Sequence, residues 1–98
     1  MAFTTLTEIR LRRDEILEVA RARGASRIRI FGSVARGEDT LSSDVDFLVE
    51  LDADRTLFDL GGLMMDLREL LRREVDVVTE DGLRSRVAQR VLLDVVDL

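Results

Sequence analysis

The stretch RIRIFGSVARGEDTLSSDVDFLVEL, Arg27 to Leu51, decides how the chain folds. Its first five residues, Arg27 to Phe31, alternate polar and apolar, the period of a strand. Gly32 and Ser33 break that alternation, and SVARG, Ser33 to Gly37, fits one short helical turn. Thr40 to Ser43 reads as loop. Asp44 to Leu51 is a second strand, and its continuous apolar centre, Phe47-Leu48-Val49, predicts a largely buried position.

On the N-terminal side, Leu6, Ile9, Ile16, Leu17 and Ala20 recur at helical spacing, with Arg13 interrupting the stripe. The spacing predicts one helix over Thr5 to Arg23, opened by a Thr5/Glu8 capping box and closed by Gly24. On the C-terminal side, Thr56 to Arg73 is helical again, with Leu57, Leu60, Leu63, Met64, Leu67, Leu70 and Leu71 on its apolar side. Gly61 and Gly62 each cost roughly 1 kcal/mol inside a helix relative to Ala, so the helix bends there or something packs closely. Glu74 to Val78 predicts a third strand. A last helix is expected near Leu83 to Asp94, capped by Thr79 or Asp81, with Val87 and Val91 on one side. The order α-β-(short α)-β-α-β-α gives an α/β or α+β domain: a small, mixed three-stranded sheet covered by helices. The helix between the second and third strands favours pairing those two in parallel.

Composition narrows the chemistry. The 98 residues contain no His, Cys, Lys, Pro, Trp or Tyr, so all 15 basic residues are Arg. Zinc fingers, Cys-His and Ser-His-Asp sites, Schiff bases and a Walker-A lysine are excluded. Carboxylates, hydroxyls, arginines, backbone amides and borrowed metal ions remain. The length fits one domain, residues 1–98. There is no run of 18 apolar residues and no signal-peptide core, and the lack of Cys suits the cytoplasm. Charge is concentrated. Gly37 to Asp54 holds seven acidic residues and no basic one, leaving +2 for the rest of a chain whose net charge is −5. Such a run is either a solvated loop or a site that expects cations.

Asp44 and Asp46 are two residues apart, so both point to one sheet face, roughly 6.6 Å apart along the strand. Asp76 lies among Val75, Val77 and Val78 and reaches that face if the second and third strands are neighbours. Three carboxylates so close repel, and a divalent cation reverses the penalty. An all-oxygen set selects Mg²⁺ or Mn²⁺. Ahead of them, Gly32-Ser33 lets an anion approach backbone N–H groups, and Arg36 can reach a phosphate oxygen. Taken singly, the Gly-Ser is a turn, the D-x-D a wet face, Arg36 a surface residue and Asp76 a strand-edge charge. In this order they form a phosphate cradle followed by a metal site.

GSVARG (Gly32 to Gly37), SDVDFLVE (Ser43 to Glu50) and EVDVV (Glu74 to Val78) resemble the minimal nucleotidyltransferase family of the DNA polymerase β-like superfamily. The likeness covers nearly the whole chain. Family members often place Gly before the third strand, where this chain has Arg72 and Arg73; that affects the helix cap. The resemblance implies that Gly32 and Ser33 hold the triphosphate of ATP. It implies that Asp44 and Asp46 bind two Mg²⁺ ions. Asp76 would bind the catalytic ion and help deprotonate the attacking hydroxyl, with Arg36 and Ser43 in support. The reaction implied is attack of a hydroxyl on the α-phosphate, releasing pyrophosphate.

Larger family members add domains that hold the acceptor, and this chain stops after its last helix. Small members are typically antitoxins encoded with a HEPN-domain toxin, which they silence by transferring AMP to a tyrosine. With no Tyr in this chain, a tyrosine acceptor lies on another chain, as in a hetero-oligomer. Two alternatives stand beside this: an antitoxin that neutralises by contact alone, and a small-molecule nucleotidyltransferase of the antibiotic-modifying type. Direct nucleic-acid binding is not expected, since the arginines are scattered and the aromatics amount to four Phe.

Overall fold

The computed structural model describes residues 4–84 and 94–98. The elements are α1 (Thr5–Leu11), α2 (Arg13–Ala22), β1 (Ala25–Phe31), α3 (Gly32–Arg36), β2 (Val45–Leu51), α4 (Leu57–Leu71), β3 (Val75–Thr79), α5 (Glu80–Arg84) and β4 (Val96–Asp97). The three expected strands and the crossover helix are present. Among the described residues the sheet has four strands rather than three, ordered β3-β2-β1-β4. β2 and β3 run parallel, as the intervening helix requires, and β1 is antiparallel to both β2 and β4. β4 is only two residues long, too short to show a period, so its pairing with Arg29 and Ile30 left no sequence signal.

The first helix is broken. Arg12 leaves helical geometry, with φ −105° and ψ 19°, and divides α1 from α2. Its guanidinium donates to the Leu70 carbonyl at 2.6 Å and pairs with Glu15 at 3.2 Å, fixing the break against the end of α4. The cap also differs by one residue: Thr4, not Thr5, accepts from the Thr7 N–H. Thr5 is used elsewhere, as described below. The C-terminal stop is as expected, with Gly24 at φ +80° after the Arg23 cap. α4 runs through Gly61 and Gly62 unbroken, capped by Thr56 with Asp59. Close packing explains Gly62: a Cβ there would come within 2.5 Å of Arg23 Nη1, whose guanidinium binds Asp66 at 2.8 Å. Most of the expected Leu83–Asp94 helix, Val87 and Val91 included, lies outside the described residues. The described α5 overlaps that expectation at Leu83 and Arg84, and Thr79 Oγ1 accepts from the Gly82 N–H at 3.2 Å.

The core lies between one sheet face and helices α2 and α4. Ile28 and Ile30 of β1, Val45, Phe47 and Val49 of β2, and Val75 and Val77 of β3 pack there against Ile16, Ala20, Leu63 and Leu67. Each of these side chains except Ala20 contributes about 1.5–3 kcal/mol on burial. The opposite face carries Phe31, Asp46 and Asp76 level with one another at one end, with Phe31 and Leu48 packed against Val78 and Val95. Beyond them Arg29, 6% exposed, is ion-paired to Glu80 at 2.6 Å. The alternation of RIRIF therefore separates two covered faces, not a dry face from a wet one.

Candidate active site

The site forms where β1 ends and the parallel strands begin. Phe31, the last residue of β1, is the register partner of Asp46, and Asp46 is the register partner of Asp76. Alternation along β2 sends Val45 and Phe47 into the core and Asp46 to the other face. Asp44 stands one residue before the strand and is exposed, as is Asp76; Asp46 is half-buried. None of the three carboxylates accepts a hydrogen bond or forms an ion pair among the described residues.

Burial raises the Asp46 carboxyl from its ordinary 3.8 to about 6, with further contributions from the negative charges of Asp76 and Asp44. Arg36 opposes the shift from nearby. Two neighbouring anions and one partly desolvated anion form a cluster that a cation would relieve.

Gly32 turns the chain from β1 into α3 at φ +77°. A Cβ there would collide with the Asp46 carboxylate as well as strain the backbone. Glycine is thus required twice: by the left-handed turn, and by the carboxylate seated against it. The Ser33 hydroxyl has no hydrogen-bond partner among the described residues, while its carbonyl accepts from the Glu38 N–H at 2.8 Å.

Two expected supports are occupied. Arg36 donates to Glu38 at 3.0 Å and Asp94 at 3.2 Å, and the Glu38 bond chiefly raises its pKa further. It must exchange one of these to reach a phosphate. Ser43 Oγ accepts from the Thr40 N–H at 2.8 Å and so shapes the loop ahead of Asp44. Gly32, Asp44, Asp46 and Asp76 come together; Ser33 follows directly, and Arg36 and Ser43 sit at the margin.

Sequence reading missed Arg73. Its guanidinium donates to Thr5 Oγ1 at 3.0 Å and to the Thr40 and Ser43 carbonyls at 3.4 Å, and it lies 3.8 Å from Asp39. Thr5 also donates to Asp39. One arginine thus ties the start of α1 and the end of α4 to the acidic loop that delivers Asp44. An arginine pair just before a strand, facing a loop with no base of its own, was the available signal.

The donors suit Mg²⁺ in one specific way. No group of three acidic side chains among the described residues holds a metal by itself. Mg²⁺ is ordinarily bound by one or two carboxylates, with waters and substrate phosphates completing its shell. Unpaired aspartates beside a glycine turn fit an ion that shares its shell with a nucleotide.

Residues 13–97 match the family model described as a nucleotidyltransferase domain. The chain is 38% identical to the protein adenylyltransferase MntA of Thermococcus cleftensis over 98% of both chains. It is also 38% identical to a Methanocaldococcus jannaschii protein classed with the protein adenylyltransferases, over 86% of this chain and 90% of that one. A solved structure classed as a minimal nucleotidyltransferase superposes over the whole of both chains with a TM-score of 0.84 and 41% identity. A toxin–antitoxin crystal structure with AMP-PNP shares the fold, with a TM-score of 0.72 and 22% identity over 86% of this chain and 69% of that one. The chain belongs to the nucleotidyltransferase family, among its minimal members, and is an enzyme that transfers nucleotides.

Proposed function

We propose that the chain transfers AMP from ATP to a hydroxyl of a partner protein and, by doing so, acts as the antitoxin of a toxin–antitoxin pair. The observation that carries this reading is the pairing of Asp46 with Asp76, on the face where Gly32 puts no Cβ against the Asp46 carboxylate. The near full-length likeness to a relative named as a protein adenylyltransferase supports AMP as the group and protein as the acceptor. The absence of Tyr from this chain fits a tyrosine acceptor on a HEPN-type toxin.

In this reading the Gly32-Ser33 turn takes the triphosphate, the Ser33 hydroxyl donating to it and Gly32 allowing close approach. Asp44, Asp46 and Asp76 would hold Mg²⁺, which when bound offsets phosphate charge and aligns an in-line displacement. The acceptor oxygen bonds to the α-phosphorus. The bond from that phosphorus to the bridging oxygen breaks, and pyrophosphate leaves with the electron pair. Asp76, exposed beside Asp46, takes the hydroxyl proton. Arg73 keeps the Thr40–Ser43 loop, and with it Asp44, in place. The cytoplasm supplies ATP and Mg²⁺; no helix among the described residues is long and apolar enough to cross a membrane.

The test is toxin neutralisation in cells by Asp44→Asn and Asp46→Asn, alongside label transfer from ATP labelled at the α-phosphate. Loss of both, with fold retained, is the expected result. Variants that still protect cells without transferring label would replace catalysis with neutralisation by contact.

A further inference from the structure

The loop that leads into Asp44 and the link between α4 and β3 enclose a cleft of about 430 Å³, lined by Leu41, Ser43, Arg68, Arg72, Arg73 and Glu74. It is lined by the segments that lead into two of the carboxylates. Ser43 immediately precedes Asp44, and Glu74, whose carbonyl accepts from the Val45 N–H at 3.0 Å, stands two residues before Asp76. Its charge is opposite to that of the chain: three arginines face one glutamate, whereas the net charge overall is −5.

Two of these arginines have donors to spare. Arg68 makes one ion pair, from Nη2 to Glu74 at 3.4 Å, and its part-exposed guanidinium has no other partner among the described residues. The exposed Arg72 side chain makes no hydrogen bond or ion pair among the described residues. Arg72 is also the one described non-glycine residue with positive φ, +56°. An L-residue there bears a steric cost that glycine avoids, and such strain gathers at functional positions. No hydrogen bond or ion pair of this side chain among the described residues offsets it.

Arginine forks match carboxylates and phosphates alike. The rim favours the first. Leu41 is fully exposed at the cleft edge, where an apolar side chain of a peptide can cover it. Base stacking calls for aromatic side chains, and the cleft has none. We propose that this cleft docks an acidic segment of the protein partner, its carboxylates on Arg68 and Arg72 and an apolar side chain on Leu41. The proposal rests on the reading that the partner is a protein, and it supplies the contact that brings that partner to the carboxylates.

The test uses the full chain and a fluorescent peptide of alternating glutamate and leucine, with a uridine oligonucleotide and inorganic phosphate as rival probes. Arg72→Gly removes the guanidinium and relieves the backbone, so it folds at least as well; Arg68→Gln is the second variant. The expected result is peptide binding at low salt, weakened about tenfold by each substitution, with ATP affinity unchanged. Unchanged peptide affinity in both variants overturns the proposal. So does binding of the oligonucleotide or of phosphate without the peptide, or of no probe at all. Transfer of AMP is read separately. A partner KM unchanged in Arg72→Gly overturns the cleft and leaves the transferase standing. Peptide binding that the variants lose, without AMP transfer by the wild type, supports the cleft and removes the transferase.

Discussion

Asp46→Asn removes a charge and keeps the side chain's shape, and it should separate stability from activity. In the folded, metal-free chain the Asp46 carboxyl sits at about 6, against an ordinary 3.8. Two pK units correspond to about 3 kcal/mol if fully expressed. Asp46 is only half-buried, and solvent screening reduces this to about 1 kcal/mol. The sign follows from linkage. A carboxyl whose folded pKa is raised binds its proton more tightly in the folded state, so its contribution is fully present below about 4 and is lost as pH rises to about 6. Asn titrates nowhere in that window. In EDTA the variant should match the wild type near pH 4. It should then gain on it up to pH 6 and melt about 4–8 °C higher at pH 7. Thermal melts by circular dichroism from pH 4 to 8 provide the assay. Saturating Mg²⁺ together with ATP should raise the wild type more than the variant. A variant less stable than the wild type at pH 7, or a difference that does not depend on pH, would refute the reasoning.

Other substitutions probe the scaffold. Gly32→Ala places a Cβ against the Asp46 carboxylate in a left-handed turn; it should cost about 1–2 kcal/mol and weaken ATP binding, read by melts and calorimetry. Gly61→Ala meets open space inside α4 and should gain about 1 kcal/mol in urea denaturation. Gly62→Ala should gain less, because its Cβ must push the Arg23 guanidinium from Asp66. Arg73→Ala should speed amide exchange across residues 39–43 and leave the β1–β2 amides unchanged, since it removes the bonds to Thr40 and Ser43 but none in the sheet.

What could be read from the sequence was what depends on short-range pattern. β1 and β2 follow from alternation and an apolar run, the α2 stop from Gly24, and the parallel pairing from the helix between β2 and β3. Asp46 and Asp76 could be assigned to one face from strand parity once β2 and β3 were expected to be neighbours, whereas Asp44 stands one residue ahead of β2, where parity does not decide. What escaped depends on contacts between distant segments. The break at Arg12 is set by a carbonyl 58 residues away. β4 pairs only because β1 offers it an edge. Arg29 is buried because the second sheet face is covered, which the alternation of RIRIF does not reveal. Arg73 and Thr5 look like ordinary helix-end residues until the acidic loop folds against them. The departure at Arg72 was visible as a cap without glycine, and the structure gives its geometry, φ +56°.

The central claim is that these aspartates drive AMP transfer onto another protein. Intact-mass spectrometry of the protein encoded beside this chain, incubated with it, ATP and Mg²⁺, tests that claim most directly. The account predicts a partner heavier by one or more AMP units, and no gain with Asp44→Asn or Asp46→Asn. An unchanged partner mass with folded wild-type enzyme, or a gain that survives both substitutions, would contradict it.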